Sequence, residues 1–188
     1  QRTRRLMRLM FLTPAARQER STFTLVALAS LWLATVGNLA LWRSLVNLPD
    51  VTGWHSWTFG AAFALIIACV VAALLSLLAW RVTLKAAISL LLLLAAFATH
   101  YMWMYGIVVD TPMVVNVFQT DTREARDQLS LQLLGTVTGI AIIPMLWLWP
   151  QPVRAMAFGQ QLWRNLGLCV AALLLAFGTL QLVFQDFA

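Results

Sequence analysis

Charge is what this sequence most lacks. Only 11% of its 188 residues are Asp, Glu, Lys or Arg, where a soluble domain carries about a quarter. With 61% hydrophobic residues and a mean hydropathy of +0.80, the chain is read as an integral membrane protein. Cysteine and histidine are almost as scarce. Cys69 and Cys169 fall inside apolar runs, where a free thiol behaves as a small hydrophobe, so neither a disulfide nor a metal site is expected of them. His55 lies in a loop and His100 near the end of an apolar run, and they provide no nucleophile and base pair. Internal repeats, a glycine-rich phosphate loop and low-complexity tracts are missing. So are paired half-helices and ionisable residues deep within an apolar run, which argues against a transporter or a proton pathway. The net charge of +6 does not indicate nucleic acid, because six of the thirteen basic residues precede the first apolar run and read as a topology signal.

What is present is a series of runs long enough to cross a hydrocarbon core of about 30 Å. A basic arm over residues 1–22 can lie along an anionic membrane surface or act as a solvated tail. A helical membrane domain follows over 23–188, with spans expected at about 23–46, 57–80, 86–104, 131–149 and 166–184. Asn38 interrupts the first span, and a lone amide there is expected to hydrogen-bond a neighbouring helix. Pro144 sits inside the fourth and should free a carbonyl that neighbours must serve. Arg81 and Lys85 mark a tight turn, whereas Pro150, Pro152, Arg154 and Arg164 are assigned to the last connection.

Alternating the connections between the two membrane faces sets the orientation. With the N-terminus inside, the arm, Arg81, Lys85, Arg154 and Arg164 are cytoplasmic, and only Arg43, Arg123 and Arg126 lie outside. The tryptophans agree: Trp42, Trp54, Trp57 and Trp103 fall near the outer interface, and Trp80, Trp147, Trp149 and Trp163 near the inner one.

Polar residues gather only between the third and fourth spans, in YGIVVDTPMVVNVFQTDTREA from Tyr105 to Ala125. Tyr105-Gly106 reads as a helix break; Pro112 suits a first helical turn that Asp110 or Thr111 can cap. Asn116, Thr120 and Glu124 recur every fourth residue, so on a helix they lie about 40° apart in projection along roughly 12 Å. With Val114, Val117 and Phe118 on the other side, the pattern suits a helix lying on the outer leaflet with a polar ridge upward. It also suits a solvated helix with an ordinary pair between Arg123 and Asp127, the reading that spacing alone favours. One carboxylate, one amide and one hydroxyl can grip an ammonium or phosphate head group, but they form no catalytic set.

YGIVVD followed by Met113, Asn116, Thr120 and Glu124-Ala125 resembles the periplasmic signature of the phosphoethanolamine transferases that modify lipid A, the family of the mobile colistin-resistance enzymes. The resemblance extends over the whole chain, to the exit Phe184-Gln185-Asp186-Phe187-Ala188, where Gln185 and Phe187 depart from the family's Lys and Tyr. It implies an all-α membrane protein of five transmembrane helices, N-terminus cytoplasmic and C-terminus periplasmic, with a periplasmic interfacial helix between helices 3 and 4. It implies a bacterial inner-membrane location and a monomer. It also implies that Asn116, Thr120 and Glu124, in the segment 105–128, help bind substrate, with Tyr105 and Asp110 supporting. The chain is then expected to be a fragment, non-catalytic alone, of an enzyme that moves phosphoethanolamine from phosphatidylethanolamine to lipid A, giving polymyxin resistance. The zinc and threonine nucleophile of such an enzyme belong to a periplasmic sulfatase-like domain that none of these residues represents. The rival expectation is a non-catalytic inner-membrane scaffold that docks a periplasmic partner.

Overall fold

The structure, a computed structural model, describes residues 19–47, 54–106 and 130–186. Five helices in this range are long and apolar enough to cross a membrane. The first, α1, runs Thr22–Val46 and consists of helix Thr22–Thr35, a 3-10 turn Val36–Asn38 and helix Leu39–Val46. The others are α2 (Trp54–Leu77), α3 (Thr83–Tyr105), α4 (Leu131–Leu148) and α5 (Phe158–Asp186). No strand occurs among the described residues, apart from a single bridge between Arg20 and Val153. That bridge, with Arg20 N–H donating to Pro152 O at 2.8 Å and Arg154 N–H to Arg20 O at 3.1 Å, ties the chain before α1 to the link between α4 and α5.

Spatial order departs from chain order. α5 packs on α2, α2 on α1, α1 on α3 and α3 on α4. α1 therefore separates α2 and α3, which the short turn after Leu77 joins. The core consists of Leu25, Val26 and Leu33 from α1, Leu75 from α2, Leu84, Ile88 and Leu92 from α3, and Ile140 and Leu148 from α4. Against α2, the outer helix α5 uses small residues instead: Ala172 and Ala176 meet Cys69 and Ala73, with Cys169 alongside, and both cysteines are free. Small side chains let helix backbones approach closely, which is how helices gain packing energy when lipid is as apolar as leucine. Leu173, Leu174 and Phe177, on the remaining face of α5, are exposed and suit lipid.

Irregular backbone within a span must still have its polar groups served. The 3-10 turn in α1 satisfies that demand carbonyl by carbonyl. Asn38 Nδ2 donates to Leu33 O at 2.8 Å, Trp42 Nε1 reaches Ala34 O and Thr35 O at 3.0 and 3.1 Å, and Thr99 Oγ1 of α3 donates to Gly37 O at 2.8 Å. Asn38 thus bonds back within its own helix, contrary to the expected bond to a neighbour, because the local break supplies a nearer acceptor. Gly37 is there for space: a Cβ would stand 3.3 Å from Leu33 Cδ2 and 3.4 Å from the Cβ of Ala95.

Pro144 behaves as its chemistry requires. It cannot donate to the carbonyl four residues back, which is Ile140 O, and Trp32 Nε1 of α1 donates there at 3.1 Å instead. The preceding turn, Thr138–Ile142, is a π-helix.

Three boundaries differ from the sequence reading. α2 begins at Trp54, which makes His55 helical and not part of a loop. α2 ends at Leu77 and α3 starts at Thr83, so the turn between them is earlier and includes Trp80 and Arg81. α5 begins at Phe158 rather than near 166, which puts Arg164 inside the helix and not in the connection. Its first two turns, FGQQLWRN, are too polar to register as a span, yet Gln161 and Asn165 are each 4% exposed. Gln161 Nε2 lies 2.9 Å from Ala79 O, 3.2 Å from Thr22 Oγ1 and 2.7 Å from Asn165 Oδ1, so one amide clasps α5 to the starts and ends of its neighbours.

Candidate functional site

The site expected from the sequence attaches to the bundle at two defined points. α3 stops because Gly106 turns left-handed, at φ 64° and ψ 19°, while its N–H still donates to Met102 O at 3.0 Å. Glycine is the residue that adopts this conformation without a steric cost. α4 starts because Ser130 caps it, its Oγ accepting from Leu133 N–H at 3.1 Å. The expected break at Tyr105-Gly106 is therefore present. Asn116, Thr120, Glu124 and Asp110 lie outside the described residues, as does the whole expected interfacial helix; Tyr105 closes α3.

α3 and α4 run antiparallel, and their contacts fix which ends meet. At one end Lys85 Nζ donates to Trp149 O at 2.7 Å and Trp149 Nε1 to Ser89 Oγ at 3.3 Å. Gly106 and Ser130 are at the other. Lys85, Arg81, Arg20 and Arg154 belong to the end opposite Gly106, so these basic residues segregate as the charge count anticipated, Arg43 included. Arg43 stands at the Gly106 end, its guanidinium 4.4 Å from the centroid of the Trp103 ring, an attraction between a cation and the negative face of an aromatic ring.

Directly beneath the attachment points, α1, α3 and α4 part to leave a cleft of about 580 Å³. Its walls include Val36 and Leu39 of α1, His100, Trp103 and Met104 of α3, and Gln132, Gly135, Thr136 and Gly139 of α4. Two of its hydroxyls are already engaged, Thr99 with Gly37 O and Thr136 Oγ1 with Gln132 O at 2.9 Å. His100 is 6% exposed, with its ring edge-on to Tyr101 at 5.5 Å. It is buried as expected, but among the described residues it has no hydrogen-bond partner. The sequence held a signal for this cleft that residue-type reasoning passed over: Gly135 and Gly139 are four apart in an otherwise bulky span, and a Cβ at either would meet nothing within 4 Å.

No cluster of three or more His, Cys, Asp or Glu side chains among the described residues could hold a metal ion. Nor do these residues bring a nucleophile together with a base. The arrangement can bind and hold; what it offers is an attachment end, an aromatic and cationic rim, and a partly polar cleft.

Comparison with known proteins follows from this geometry. Residues 67–188 match a family model described as phosphoethanolamine transferase EptA/EptB. Phosphatidylethanolamine transferase Mcr-1 of Escherichia coli is 30% identical over 159 residues, which is 85% of this chain and 29% of that protein. Mcr-2 of the same organism is 30% identical over 122 residues, 65% of this chain and 22% of that protein. Among solved structures, the integral membrane protein lipooligosaccharide phosphoethanolamine transferase A (EptA) from Neisseria meningitidis shares the fold, with a TM-score of 0.77 at 21% identity over 87% of this chain and 31% of that one. The chain thus spans less than a third of the length of each protein it resembles.

Proposed function

The chain belongs to the phosphoethanolamine transferase EptA/EptB family, and on that premise we propose that it is the multi-pass membrane domain of an enzyme moving phosphoethanolamine from phosphatidylethanolamine to lipid A. The observation that carries the reading is the place where the polar segment joins the bundle. Residues 107–129, which hold the family-like signature, are joined to the bundle at Gly106 and Ser130, at one end of the antiparallel pair α3 and α4 and opposite the basic end. Basic residues favour the cytoplasmic side, so the end bearing Gly106 and Ser130 is assigned to the periplasmic side of a bacterial inner membrane. The family relation and the five spans support this reading.

In this proposal the domain has two tasks. It anchors a periplasmic catalytic domain, and it holds the head group of the donor. Glu124 supplies the negative charge for the ethanolamine ammonium, while the Asn116 amide and Thr120 hydroxyl donate to phosphate oxygens, with Tyr105 and Asp110 supporting the segment. A bond from a charged group is the strongest of these, so Glu124 dominates. Zinc, when bound, would polarise the phosphoryl group within the catalytic domain, and no step assigned to these residues passes through it. The protein acts as a monomer.

Full-length protein carrying Glu124→Ala tests the assignment. Mass spectrometry of lipid A should show most phosphoethanolamine addition lost, with membrane insertion unchanged and Arg123→Ala close to wild type. Wild-type modification by Glu124→Ala removes the residue from the site. If the unaltered full-length protein modifies no lipid A and gives no polymyxin resistance, the scaffold reading replaces the enzyme.

A further inference from the structure

We propose that the cleft between α1, α3 and α4 seats the diacylglycerol part of phosphatidylethanolamine, with the His100 ring donating to an ester carbonyl. The occupant's identity rests on the proposed function; the existence of a lipid seat does not. At about 580 Å³ the cleft is within the usual size of a small-molecule site, about 300–1,000 Å³. It follows α4 from Gln132 to Ile140, roughly 12 Å of helix.

Two observations suit a ligand in it. Gly135 and Gly139 give α4 a smooth wall facing open space, since a Cβ at either position would touch nothing within 4 Å. Against that wall stands a polar side chain, His100, that is 94% buried and has no hydrogen-bond partner among the described residues. An imidazole always carries at least one N–H to donate, and leaving a donor unpaired within a membrane is costly. The Thr99 and Thr136 hydroxyls donate to the carbonyls of Gly37 and Gln132, and neither is joined to His100 by a hydrogen bond among the described residues. Diacylglycerol matches this lining: its ester carbonyls accept and never donate, and its chains suit Val36, Trp103 and Met104. A lipid seated here also has its head group at the Gly106 and Ser130 end, where the substrate-binding segment attaches.

The test uses full-length protein in phosphatidylcholine vesicles containing phosphatidylethanolamine with a diazirine in the acyl chain. After irradiation, labelled peptides are mapped by mass spectrometry. Labelling at Trp103 and Thr136 should exceed that at Leu173 and Leu174, which face lipid on α5. Gly135→Leu with Gly139→Leu should lower cleft labelling about tenfold, as expected from excluding some two methylene groups from apolar contact. His100→Phe, which keeps the shape, should lower it about threefold, the worth of one hydrogen bond within a membrane. Equal labelling of the cleft and α5, or unchanged labelling after the cleft is filled, overturns the proposal. Cleft labelling by a protein that transfers nothing to lipid A keeps the seat and overturns the enzyme; transfer without cleft labelling does the reverse.

Discussion

Replacing Gln161 with leucine should destabilise the bundle by about 2 kcal/mol, although the position reads as a polar surface residue. Gln161 is 4% exposed, and the two N–H groups of its amide are shared among Thr22 Oγ1, Ala79 O and Asn165 Oδ1 at 3.2, 2.9 and 2.7 Å. Two of these bonds join different elements. At about 0.6 kcal/mol for an interhelical bond in a membrane protein, they account for roughly 1.2 kcal/mol. Asn165 Oδ1 then stays buried without its donor, which adds about 1 kcal/mol. Ala79 O keeps one partner, since Asn165 Nδ2 also points to it, but at 3.3 Å. The assay is reversible unfolding in mixed dodecyl maltoside and dodecyl sulfate micelles, followed by circular dichroism. Gln160→Leu, one residue away and exposed, is the control and should change stability by less than about 0.5 kcal/mol. Adding Asn165→Leu to Gln161→Leu should cost less than the sum of the single changes, because the orphaned oxygen is removed with its partner. If Gln161→Leu costs no more than Gln160→Leu, or if the two changes simply add, the clasp is not what holds α5.

Three further outcomes can be read in the same assay. Gly37→Ala should destabilise by about 1 kcal/mol, because crowding of Leu33 and the immovable Ala95 Cβ outweighs the gain in helix propensity; a more stable variant would sink the close-packing argument. Thr99→Val keeps the shape but strips Gly37 O of its donor, for a loss of about 1 kcal/mol that should vanish if the 3-10 turn rewinds to an α-helix. Trp32→Phe should cost a similar amount, about 1 kcal/mol, and hasten amide exchange around Thr138–Ile142, since Ile140 O then has neither Pro144 nor Trp32; unchanged exchange there would show that the π-turn holds unaided.

Hydropathy alone was enough for the number of spans, because twenty apolar residues have no stable alternative to a helix in lipid. It failed at α5 for a related reason: FGQQLWRN is polar, and only the turn that presents Ala79 O turns Gln161 and Asn165 into buried partners. Periodicity within a span cannot say which helix lies beside which. Helices that are apolar on every side have no marked face, so the insertion of α1 between α2 and α3 was not legible.

For function the division is similar. By itself the sequence determined the class of protein, the basic and aromatic ends and, through the motif from Tyr105 to Ala125, the family relation, because composition and short motifs are local properties of the chain. Only the tertiary structure decided that Pro144 would be relieved by a tryptophan of α1, that Asn38 would turn back on its own helix, and that His100 would face a cleft walled by Gly135 and Gly139. Each of those outcomes depends on which backbone stands opposite, and that is settled when the helices pack, not when they form.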